Sequence, residues 1–197
     1  MINLKNIVVS NDATFYDYRT GGPLPRRTRV AFKLLLVVAL VALFPKVDSD
    51  FIDNVLTIYA ILIGFSFNIL FFLLSVTKKE KITTNFLEDQ NKAKKIHKLG
   101  KELFHNVSYF NLVSISLILI AITYNLCKGY ETEILSYVSK YVSDEYSKSL
   151  RCVAFYTQNT IFYALLVEST YTFIRTLSRV SFYFDKKIKF EENLSEK

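Results

Sequence analysis

The sequence predicts an all-α, polytopic membrane protein with four transmembrane helices and both termini cytoplasmic. Three observations predict it. Of its 197 residues, 51% are hydrophobic, and the mean hydropathy is positive. The apolar residues come in blocks rather than at amphipathic spacing, and a run of about 20 is what a bilayer requires. Twenty of the 25 lysines and arginines fall on one side of the spans that these blocks define, which is the excess that marks cytoplasmic segments.

Residues 1–29 read as a cytoplasmic N-terminal arm. They show no helical period and carry the turn formers GGPLP, with one short strand expected at Ile7 to Ser10. Residues 30–76 form the first transmembrane helical hairpin, from the blocks Val30 to Phe44 and Val55 to Val76. The first block is short, ends at Pro45 and holds Lys33 one turn in, whose long stem lets it reach the interface. It is expected to be retained rather than cleaved as a signal peptide. Its basic cluster lies far from Met1, and no small-x-small cleavage site lies near Phe44.

Residues 77–102 read as a basic cytoplasmic helical loop. Asn85 and Glu88 have capping-box spacing, and Ile96, Leu99 and Leu103 share one helical face. This helix is expected to run into the third span, with a bend near Gly100. Residues 103–174 form the second transmembrane hairpin, with spans Leu103 to Leu126 and Cys152 to Ile174 joined by an external loop, 127–151. Ile134, Leu135, Val138, Tyr141 and Val142 recur in that loop at the spacing of an amphipathic helix. Cys127 and Cys152 flank it, and either a disulfide or two buried thiols suits their positions. Residues 175–197 form a cytoplasmic tail.

The net charge of +7 is then topological. Arg26, Arg27, Arg29, Arg175 and Arg179 mark the cytoplasmic edge, where basic side chains meet anionic headgroups of the lipid bilayer. No aromatic and basic module that reads bases is present, so no direct nucleic-acid binding is expected. Catalysis is not expected either. There is no glycine-rich phosphate loop, no zinc-ligand spacing, and no nucleophile with a histidine partner, and His97 and His105 read as surface or interfacial residues. No cofactor or metal is called for.

The remaining signal is polar. In LLVESTYTFIR, Glu168 sits seven residues before Arg175, Asn68 lies eight residues from the cytoplasmic end of the second span, and Asn111 lies eight residues into the third. At 1.5 Å per residue, all three lie roughly 10 to 12 Å deep, which makes them a candidate intramembrane polar layer. A carboxylate at that depth costs a few kcal/mol on insertion scales, so Glu168 should face another helix, another subunit or water. The layer serves either as interhelical glue, worth about 0.6 to 2 kcal/mol per contact, or as an ion path or switch. Ser108 and Ser114 add polar atoms to the third span without defining a pore face. Gly64 in GFSFN admits a neighbouring backbone, though no GxxxG pair accompanies it.

The lysine-rich middle segment KKEKITTNFLEDQNKAKKIHK and the aromatic, basic close SRVSFYFDKKIKF complete a pattern of four spans with both termini inside. As a whole this resembles the membrane subunit (KwaA) of the bacterial Kiwa anti-phage defence system. The resemblance implies a bacterial inner-membrane homo-oligomer, a tetramer, that detects phage attack at the envelope and works with a soluble, DNA-binding cytoplasmic partner (KwaB-like). A small ion channel or pore-forming effector, or a structural membrane anchor, would share the same composition.

Overall fold

The computed structural model describes residues 4–15, 22, 25–45, 47–79, 87–129 and 144–195, and nearly all of them are helical. Among the described residues, five α-helices follow in order: α1 (Leu4–Ala13), α2 (Arg26–Leu43), α3 (Ser49–Lys79), α4 (Leu87–Gly129) and α5 (Asp144–Ser195). No strand occurs among the described residues, as the all-α expectation requires. The external helix expected from Ile134 to Val142 and the cap at Asn85 lie outside the described residues.

Among the described residues, two helices are long and apolar enough to cross a bilayer: α3 over Ser49–Ser75 and α4 over Ala93–Leu126. The helix α2 opens on Arg26, Arg27, Arg29 and Lys33, and the apolar run of α5 is diluted by amides, hydroxyls and Glu168. Length does not exclude α2, whose 18 residues cover about 27 Å. The exposure of α3 is informative, because only 17% of its apolar window is buried. A core helix of a water-soluble domain would be mostly covered. Instead Ile58, Ile61, Phe65, Phe67 and Phe71 all stand on the surface.

The chain packs as two compact units. One comprises Met1–Leu24, Leu62–Leu112 and Thr170–Lys197. Its core joins Leu73 of α3, Ile96, Leu103 and Val107 of α4, and Tyr183 of α5, with Leu99 and Val180 packed against them. The face predicted from Ile96, Leu99 and Leu103 is therefore the buried one, and Lys94, Lys95, Lys98 and Lys101 stand exposed. The helix α4 continues through Gly100 rather than ending there. A Cβ at this position would lie 3.5 Å from Cε2 of Tyr183, an ordinary van der Waals contact, so the tyrosine ring packs beside the helix here.

The N-terminal arm corrects the sequence reading, since Ile7 to Ser10 belong to α1 and not to a strand. Tertiary contact supplies what the local pattern lacks. Asn11, Thr14 and Phe15 are buried at the end of α1, and short helices form where such contacts exceed the weak local preference.

The other unit comprises Pro25–Ile61 and Val113–Ser169. Pro45 stops α2, and the tight turn into α3 leaves carbonyls that a helix end cannot satisfy internally. Side chains from two other helices supply donors. Tyr163 Oη donates to the Phe44 carbonyl at 2.9 Å, Asn159 Nδ2 to that of Pro45 at 2.8 Å, and Tyr124 Oη to that of Val47 at 3.3 Å. Asn159 is fully buried, so this turn is fixed by α4 and α5 rather than by its own sequence.

Candidate functional site

The strongest polar constellation lies on one turn of α5, Leu166 to Ser169, in the second unit. The Lys33 ammonium of α2 donates to Oε2 of Glu168 at 2.5 Å. Their side chains are 19% and 25% exposed. One residue on, the buried Ser169 hydroxyl meets that of Ser114 on α4 at 2.7 Å. Tyr59 of α3 donates its hydroxyl to the Leu166 carbonyl at 3.4 Å. A single turn of α5 is thus bound to α2, α3 and α4 at once.

The physics of this hub follows from the cost of placing its members in an apolar surrounding. A lone carboxylate and a lone ammonium would each carry a large desolvation penalty, and each removes much of the other's. The four predicted apolar blocks contain one acidic residue, Glu168, and one Lys or Arg, Lys33. That count was the available signal for their pairing. Lys33 does not extend away to an interface as its long stem allows; it turns to α5.

Asn68, Asn111 and Glu168, the residues of the predicted layer, have different surroundings within their units. Asn111 is buried, but its partner is the Ser66 hydroxyl, which donates to Asn111 Oδ1. Asn68 lies on the exposed face of α3. The two-position step from Ser66 to Asn68 turns the helix by about 200°, so the hydroxyl points inward and the amide outward. Glu168 finds its partner in Lys33, within the other unit.

The edge arginines also divide. Arg26 and Arg27 are exposed on the first turn of α2, and Arg29 is half-buried. Arg175 and Arg179, in contrast, are not free edge cations but the clamp that holds α1. Arg179 is 4% exposed and donates Nη2 to the Thr14 carbonyl. Arg175 donates to the Thr14 hydroxyl, and its guanidinium carbon lies 3.4 Å from the centroid of the Phe15 ring. Phe15 in turn stacks on Tyr171, with centroids 6.4 Å apart. Thr14 completes the clamp by donating to Asn106 Oδ1 of α4 at 2.8 Å.

The Cys127–Cys152 bridge is not formed, because Cys152 carries a free, exposed thiol. The physical reason is that α5 begins at Asp144, so Cys152 sits two turns inside a helix on its outer face rather than at the loop margin. The side chain of Cys127 lies outside the described residues.

No protein family, no curated protein sequence and no solved structure matches the chain significantly.

Proposed function

We propose that the chain is a multi-pass protein of the bacterial inner membrane, with four transmembrane helices and both termini cytoplasmic, acting as a homo-oligomeric sensor or scaffold. In this reading it detects an insult at the envelope and couples it to a soluble cytoplasmic partner. Anti-phage defence is the role that the resemblance to the Kiwa membrane subunit implies. The observation that carries the proposal is the hub at Leu166 to Ser169. A turn that holds three other helices through one ion pair and two hydrogen bonds is a place where a small displacement changes several contacts together. The lysines of α4, exposed above an ordered core, support a basic face for an acidic partner or anionic headgroups.

The test is a phage-plating assay in cells that carry the gene with its neighbours. A drop in plating efficiency of at least about tenfold is expected, lost in a Lys33→Met, Glu168→Leu double variant that still accumulates in the membrane. Unchanged plating with the wild-type chain would overturn the defence reading. Purified protein that conducts ions in liposomes, and loses conductance in the double variant, would replace the sensor with a channel.

A further inference from the structure

The geometry points to a second copy of this chain as the occupant of the outward face of α3, in contact along a seam centred on Asn68. The inference deepens the homo-oligomer reading above and rests on α3 spanning the membrane. Thr57, Ile61, Gly64, Asn68, Phe71 and Ser75 are all exposed. Their spacing alternates four and three, which is the heptad repeat of two helices crossing at a shallow left-handed angle. On the opposite face, Ile52, Val55, Tyr59, Ser66 and Leu73 are buried within the chain. The helix therefore has one face committed to its own fold and one with no partner in it.

Chemistry selects the occupant. Asn68 lies seven residues from Ser75, where the apolar window ends, or about 10 Å into the hydrocarbon. Its amide makes no hydrogen bond among the described residues, and a lipid tail offers neither donor nor acceptor. Thr57 and Ser75 bond back to the carbonyls of Asp53 and Phe72, so Asn68 is the seam residue whose polar group still needs a partner. A second copy meets that need automatically. The bilayer holds both chains at the same depth, and an amide carries both donor and acceptor, so two Asn68 side chains can satisfy each other. Gly64, one turn away, has nothing within 4 Å of where a Cβ would stand, which leaves room for a close backbone.

The experiment is oxidative cross-linking of single cysteines in native membranes, in a full-length chain carrying Cys127→Ser and Cys152→Ser. Disulfide-linked dimers are expected for Ile61→Cys and Phe71→Cys, which keep Asn68, and little product for the flanking Ile58→Cys and Leu74→Cys. Adding Asn68→Leu to Ile61→Cys should lower the dimer yield about threefold or more, whereas Asn68→Gln should retain it. Cross-linking that favours the flanks, shows no periodicity, or captures only a heavier foreign protein would overturn the seam. Fractionation of the same cells separates the two failures. A membrane-bound chain without seam dimers overturns this inference alone, and a chain in the soluble fraction overturns the membrane reading with it.

Discussion

Glu168→Gln is expected to destabilise the protein by about 2 to 3 kcal/mol, toward the low end for breaking a buried ion pair because both side chains keep some exposure. The loss comes mainly from Lys33, whose ammonium keeps its desolvation cost after its acceptor is gone. Lys33→Met should cost a similar amount by leaving the carboxylate unpaired. The double variant Lys33→Met, Glu168→Leu should regain at least half of either loss, since an apolar pair of similar volume carries no such penalty. Thermal unfolding of the detergent-solubilised single and double variants measures this cycle. Additive single effects would mean that the 2.5 Å contact between Lys33 and Glu168 contributes nothing to the fold. The same double variant separates glue from moving part: folded and active means glue, folded and inactive means that the charges take part in signalling.

The second large effect is expected at Arg179. Arg179→Met removes the donor to the Thr14 carbonyl, and charge-assisted bonds of this kind contribute about 1.5 to 3 kcal/mol. Because α1 is short, its docking depends on this clamp more than on helical preference, so the cost should appear as local release of α1. Hydrogen exchange of the α1 amides should accelerate about tenfold or more, while the amides around Leu103 and Val107 change little. Arg179→Lys should rescue only in part, since an ammonium lacks the planar fork of donors. Uniform acceleration across both regions would show that the clamp stabilises the whole unit rather than holding α1.

The sequence and the structure agree where local pattern dominates. The apolar blocks of α3 and α4 form helices long and apolar enough to cross a bilayer, and the periodicity of Ile96, Leu99 and Leu103 correctly marked the buried face of α4. Disagreement begins where partners are distant along the chain. Lys33 and Glu168 are 135 positions apart, and nothing local distinguishes a lysine that reaches an interface from one that reaches a carboxylate. Helix rotation buries Ser66 and exposes Asn68, which depth along the span does not reveal. The helix α1 was illegible for a similar reason. Its stability resides in Thr14, Phe15, Arg175 and Arg179, and only two of these lie near it in sequence.

The central claim, that the chain crosses the membrane four times with both ends in the cytoplasm, is tested most directly on α5. That helix carries the hub, and its apolar run is diluted by amides, hydroxyls and Glu168. An impermeant maleimide applied to spheroplasts of a Cys127→Ser strain should label the exposed Cys152 thiol. In a strain with Asn193→Cys as the sole cysteine, label should enter only after lysis. Labelling of both positions in intact spheroplasts, or of Asn193→Cys alone, would contradict the account.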